Sequence, residues 1–311
     1  MSIYILAALR TPVGALGGSL RGLSAVDLGA AVLRGLLART GAGGRVREVV
    51  LGQTVQAGCG PNPAQAAATA AGLAAGSCAW TVNQGPLSSL QAVLQAARTL
   101  ADGGGLVLAG GMESCSSAPY LLPTARWGTR MGEAPVLDAL LQDGGEAAPG
   151  PGPEAQPISG LEACLPLNLR SRRGPDRVLT QDDARAASGL ADAAAGLLLG
   201  SAPGPQPALA RLLGHGWGAG PAEAAQAALD RSGLALDAIG CFELETAFPG
   251  VPEARCNLGG GALAPGRAAG ADGARMLVRL AHHLHPGGPR HGLACLASPG
   301  GPALALILER P

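Results

Sequence analysis

The stretch SLQAVLQAARTLADGGGLVLAGG, residues 89–111, reads as two joined parts. Its first part puts Leu90, Val93, Leu94 and Ala97 on one face at helical spacing, so an amphipathic helix is expected over 88–100. Its second part, the glycine-flanked apolar run 106–109, reads as a buried strand. The same order returns near the far end as ARMLVRLAHHLHPGGPRHGLACLASPGG, residues 274–301. A second pair of segments also matches. AAVLRGLLARTGAGGRVREVVLGQTV (30–55) has its counterpart in AEAAQAALDRSGLALDAIGCFELETAF (222–248). A helix–turn–strand unit duplicated in this way predicts two similar α/β halves packed together, with a site where they meet.

Working outward, residues 3–8 form a short apolar run that reads as a strand, stopped by Arg10-Thr11-Pro12. Ser24 with Asp27 three residues on marks a helix start for 24–37, and 46–52 reads as a strand. The alanine-rich 62–75 reads as a helix. Alternating strands and helices predict a layered α/β protein with parallel pairing.

Composition narrows the function classes. The 311 residues are 47% hydrophobic and 14% charged, which excludes disorder of the whole chain. Lys+Arg 22 balances Asp+Glu 22, so no electrostatic footprint for nucleic acid or an anionic membrane is present. Every one of the basic residues is arginine, which rules out a lysine Schiff base or lysine general base. The seven cysteines stand singly with no CxxC pair, against a zinc ribbon or a thioredoxin-like site. Their odd number and the opening MSIYILAALRTP predict a reducing, cytoplasmic location, and no apolar run is long enough to predict a membrane span. Between the halves, DGGEAAPGPGPEAQP (143–157) reads as a linker. Beyond it Arg170, Arg172, Arg173 and Arg177 read either as a solvated loop or as a phosphate clamp.

Several blocks carry a resemblance. AALRTPVGALGGSLRGLSAVDLGA at the start, GQTVQAGCGPNPAQAAATAAGL, VLAGGMESCSSAPYLLPTARWGTRMG, SGLADAAAGLLL, NLGGGALAPGRAAGADGARMLV and GLACLASPGGPALALILER are collinear and together resemble thiolases of the acetyl-CoA acetyltransferase type. The resemblance implies a thiolase-like layered fold of two duplicated halves. It sets an N-terminal half at 1–119 completed by about 186–204, a shortened loop segment at 120–185 and a C-terminal half at 205–311. It also implies a CoA thioester as ligand, and oligomers built through a sheet edge and the loop PYLLPTARWGTRMG (119–132).

Thiolases use a cysteine at a helix N-terminus, an activating histidine, an asparagine-held water and a second cysteine. The nucleophile block reads TVNQGPLSSLQAV and places Pro86 at the cysteine; the histidine block reads GRAAGADGAR and places Arg267 at the histidine. ETAF places Glu245 at the asparagine, and GLACLASPGG places Ala297 at the second cysteine. Proline has neither a thiol nor an N–H for an oxyanion, and arginine cannot act as a base. The expectation is a non-catalytic, cofactor-free pseudo-thiolase, a homo-oligomer or a partner subunit of an active thiolase. Glu245 and Arg267 are expected to form a buried salt bridge in the former catalytic space, lined by Pro86 and Ala297. The alternatives are an acyltransferase or thioester hydrolase with a relocated nucleophile, Cys295 or Ser88, and an acyl-CoA-binding module using Ser188 with Arg170, Arg172 and Arg173.

Overall fold

Helix α1, Ala25–Thr40, starts at the expected Ser24 cap and runs three residues beyond the expected end at 37. The Ser24 side chain accepts the Asp27 N–H while the Asp27 carboxylate accepts the Ser24 N–H at 2.9 Å, a reciprocal capping box. Gly41 ends the helix in the left-handed region at φ 63°. The structure, a computed structural model, describes residues 2–74, 76–128, 131–144, 164–169, 176–183 and 189–311.

The other long helices are α2 (Pro63–Ala70), α3 (Ser88–Gly103), α4 (Pro221–Ser232) and α5 (Ala269–His283). Helix α2 stops short of the expected 75, because Gly72 at φ 86° turns the chain away. Ten strands make one sheet: β1 (Ile3–Arg10), β2 (Gly14–Ala15), β3 (Val46–Gly52), β4 (Cys78–Val82), β5 (Leu106–Ser114), β6 (Ala191–Gly200), β7 (Ala210–Gly218), β8 (Cys241–Leu244), β9 (His291–Ala297) and β10 (Ala303–Glu309). Their order is β8-β9-β10-β7-β1-β6-β5-β3-β4, with β2 paired to β6.

Duplication is visible in that order. The run β3-β5-β6-β1 repeats as β8-β9-β10-β7, with α1 matched by α4 and α3 by α5. The pairing directions repeat as well: β3–β5 and β8–β9 are parallel, while β5–β6, β6–β1, β9–β10 and β10–β7 are antiparallel. The expected parallel sheet is therefore a mixed one. Strand β10 follows β9 through the short turn at residues 298–302, and a connection that short forces antiparallel pairing. The two half-sheets are joined by β1 and β7, whose Ile3, Tyr4 and Ile5 oppose Leu212, Arg211 and Ala210.

Helices α1 and α2 cover one outer face, where Leu28, Leu33, Leu36 and Ala67 meet Leu108, Met112 and Leu198. Helix α4 covers the opposite outer face with Ala224, Ala228 and Leu229 against Phe242, Leu293 and Ile307. Between them, α3 and α5 share the main core, in which Leu90, Leu94 and Leu100 pack with Met276, Leu277, Leu280, Leu304 and Leu306.

Backbone contact fixes where these central helices begin. A Cβ on Gly111 of β5 would lie 1.9 Å from the Gly270 carbonyl oxygen, and one on Gly52 of β3 would lie 2.6 Å from the Ser88 backbone. Glycine alone permits this approach, so the first turns of α3 and α5 sit side by side on the strand ends. At one sheet edge, β4 carries Trp80 with 55% of its surface exposed, and Tyr120, Trp127 and Met131 after β5 are also exposed. Among the described residues no helix is long and apolar enough to cross a membrane.

Candidate functional site

The first turns of α3 and α5 and the ends of β8 and β9 converge on one place. Glu245 is the residue after β8, Ala297 closes β9, Arg267 lies two residues before α5, and Pro86 lies two residues before α3. Backbone bonds hold the frame. The Arg267 N–H donates to Gly189 O at 2.7 Å, Ala191 N–H donates to Arg267 O at 2.8 Å, and Glu245 N–H donates to Cys295 O at 3.4 Å.

Arg267 and Glu245 form the expected ion pair, Nη1 to Oε1. The other Glu245 oxygen accepts the Ala297 N–H at 3.3 Å. Two features differ from expectation. First, the pair is not fully buried: Arg267 keeps 24% and Glu245 22% of its side-chain surface. Second, a third group completes it. Asp272, wholly buried in the first turn of α5, accepts from Arg267 Nε at 2.8 Å, from the Ala268 N–H at 2.9 Å and from Arg275 Nη1 at 2.8 Å. Burial pulls the Arg267 guanidinium towards neutrality, but the Asp272 and Glu245 carboxylates outweigh it and hold its pKa above the usual arginine value. Glu245, Arg267, Asp272 and Arg275 thus make a chain of alternating charge with no net excess.

Pro86 sits just outside the helix rather than in its first turn, because Leu87 is the N-cap residue. Its loop reaches the site through Gly85, where a Cβ would lie 3.9 Å from Ser298 Oγ. The nearest amides are already used: Leu87 N–H donates to Gln84 O at 3.2 Å and Ser88 N–H to Gly85 O at 3.1 Å.

Neither relocated nucleophile is presented to the site. The Ser88 hydroxyl is fully buried, accepting the Gln84 N–H at 2.9 Å while donating to Gly85 O. It ties the loop to the helix, whose N-cap residue is Leu87. Ser89 is likewise buried and accepts the Ala274 N–H of α5 at 3.0 Å. Cys295 lies inside the outer core under α4, and burial, with the Glu245 charge adding, pushes its thiol up to about 12. A thiol so raised stays protonated and inert. Ser188, Arg170, Arg172 and Arg173 lie outside the described residues.

Sequence reasoning missed the supports of this site. Arg275 and Arg279, both buried on α5, donate to the carbonyls of Gly266, Ala262 and Leu258 and so pin the loop that carries Arg267. Arg279 also pairs with buried Glu243 at 3.0 Å. Beneath the helix starts, Glu113 accepts N–H bonds from Thr54 at 3.0 Å, Val55 at 3.2 Å and Gly270 at 2.9 Å. Complete burial still pushes its carboxyl up to about 7. The available signal was charge spaced at i, i+3 and i+7 (Asp272, Arg275, Arg279) inside an otherwise small and apolar helix.

Comparison with known proteins decides the family. Residues 3–148 match the thiolase N-terminal domain and residues 213–310 the thiolase C-terminal domain. The chain belongs to the thiolase family. Its thiolase relatives include the acetyl-CoA acetyltransferase of Pseudomonas aeruginosa, 34% identical over 389 aligned positions that span 99% of both chains. The acetyl-CoA acetyltransferase of Escherichia coli is 32% identical across 98% of both chains. Among solved thiolase structures, the Bacillus anthracis acetyl-CoA acetyltransferase superposes with a TM-score of 0.85 at 25% identity, covering 100% of this chain and 99% of that one. The aligned length exceeds the 311 residues of this thiolase, so the P. aeruginosa relative carries segments that this chain lacks.

Proposed function

We propose that this thiolase-family protein performs no thiol-dependent acyl transfer and serves in the cytoplasm as a structural or regulatory partner subunit, assembling with an active thiolase or with itself. The observation that carries the reading is the Arg267 guanidinium, held between Glu245 and Asp272 where the block alignment places the family's base. Pro86 and Ala297 stand at the two thiol positions, and the nearby Ser88 and Cys295 are tied up or buried. Groups of this kind act as a unit, so losing all of them removes turnover rather than lowering it. Exposed Trp80 on the edge strand and exposed Tyr120, Trp127 and Met131 supply apolar surface for assembly.

The test is thiolysis of acetoacetyl-CoA by the pure protein. No rate above the uncatalysed one is expected, and Pro86→Cys alone is expected not to restore any. Measurable turnover by the unaltered chain overturns the reading. Light scattering of the chain alone and mixed with an intact thiolase tests assembly, and a strict monomer in both removes the partner role.

The names of the relatives favour a second reading: an acyl-CoA acyltransferase, or a module that binds acyl-CoA through Ser188, Arg170, Arg172 and Arg173. Calorimetry with acetyl-CoA together with mass spectrometry separates the readings. Binding with a covalent acyl adduct supports the enzyme, binding without one the module, and no binding the partner subunit.

A further inference from the structure

At the far end of α3 from Pro86, a second cleft opens between α3, β1, β7 and the end of α4. Arg98 is ten residues beyond the start of α3, hence about 15 Å along its axis from the candidate site. The cavity has a volume of about 300 Å³. Its wall is apolar, with Ile3, Leu94, Leu212 and Leu213, and its basic lining consists of Arg98, His215 and Arg231. Among the described residues no carboxylate lines it.

None of these three groups meets a carboxylate among the described residues. Among the described residues, Arg98 and Arg231 make no ion pair; Arg231 contacts only the His215 ring, Nη1 against Nε2. Guanidinium nitrogens donate and do not accept, so Nε2 of His215 must be the accepting nitrogen and the ring must be neutral. Burial holds His215 below the usual histidine pKa, and the charges of Arg231 and Arg98 add to that effect. Two exposed arginines and a neutral histidine that face one apolar cavity, with no carboxylate among the described lining residues, leave it open to an anion.

We propose that this cleft is a binding site for a small amphipathic anion, a carboxylate on a short alkyl chain. Its head would bridge Arg98 and Arg231, and its tail would lie on Leu94 and Leu213. A volume of about 300 Å³ stands at the small end of ligand pockets and suits a short chain. A carboxylate accepts a bidentate fork from Arg231, which frees His215 Nε2 and places a negative charge beside the ring. Binding therefore raises the His215 pKa.

The probe is hexanoate, followed by the ring resonances of His215 and the methyl resonances of Leu94 and Leu213 in the full chain. Saturable shifts and an upward move of the His215 titration are expected with hexanoate. Hexan-1-ol, which has the tail without the charge, is expected to give neither. The double variant Arg98→Ala, Arg231→Ala is expected to weaken hexanoate at least tenfold. Both side chains are exposed and make no ion pair among the described residues, so a retained unfolding midpoint checks that the variant is folded. No shift with hexanoate, equal binding of the alcohol, or an unchanged affinity in the folded double variant each overturns the proposal. Inorganic phosphate binding as tightly as hexanoate overturns the amphipathic assignment. The wild-type titration of His215 needs no variant, and the outcome is independent of whether the chain has acyltransferase activity.

Discussion

Arg267→Ala is the perturbation that weighs the charge chain most directly. It removes two charge-assisted hydrogen bonds, to Glu245 and to Asp272, each worth about 1.5–3 kcal/mol when the partner stays dry. Glu245 does not stay dry: with 22% of its side-chain surface accessible it regains water once its partner is gone. Asp272 stays buried but keeps Arg275 and the Ala268 N–H. The expected cost is about 2–3 kcal/mol, below the 3–5 kcal/mol that removal of one partner from a fully buried pair would carry. In a chain of this length that lowers the thermal midpoint by about 4–6 °C. The assay is urea unfolding of Arg267→Ala, Glu245→Ala and the double variant, read as a cycle. The two single costs should exceed the double cost by at least about 1 kcal/mol, since residues in direct contact couple. Additivity within about 0.5 kcal/mol would mean that the pair contributes nothing beyond its separate parts, and the reasoning fails. Asp272→Asn supplies the contrast: it leaves Arg275 buried without a full counter-charge, so about 3–5 kcal/mol is expected.

Gly111→Ala should be poorly tolerated, because its Cβ would fall 1.9 Å from a backbone oxygen that cannot move without shifting α5; a soluble variant with an unchanged midpoint would contradict the close approach. Glu113, raised to about 7 from 4.5, binds its proton more tightly folded than unfolded, so its contribution to stability falls as pH rises from about 4.5 to about 7 and is level above. Relative to Glu113→Gln, the wild type should therefore lose stability between pH 5 and pH 8, by at most about 3 kcal/mol; a difference that does not change with pH refutes this. Alkylation of the native protein at pH 8 should label exposed Cys78 and spare buried Cys295, whose thiol is pushed up to about 12, with Cys295 labelled only after denaturation; mass spectrometry reads both.

The parts of the fold legible in sequence were those written in local chemistry. Ser24 and Asp27 mark the start of α1, and the repeated helix–turn–strand pattern foretold the order shared by the two halves. The direction of β6 was not legible. ADAAAGLLLG is buried at every position, and a strand without alternation carries no mark of which neighbour it joins or which way it runs. Glu245 and Arg267 lie 22 residues apart and meet only because separate loops end at one place, so the block resemblance exposed the pair where spacing could not. Asp272 escaped notice because an acidic residue in a first helical turn is ordinary; that it faces inward depends on α5 being covered on all sides.

Strand β6 has a consequence for how the polypeptide is made. It is wedged between β1 and β5, which do not pair with each other, yet it lies far downstream of both. As the nascent chain leaves the ribosome, β1 and β5 are present long before the strand that joins them. At about 5–20 residues per second the interval from the end of β5 to the end of β6 lasts roughly 4–17 s. Throughout it, two apolar strands show open edges, the surfaces that chaperones hold and that misassembly exploits. A product released before Ala191 would lack the strand that joins those two edges.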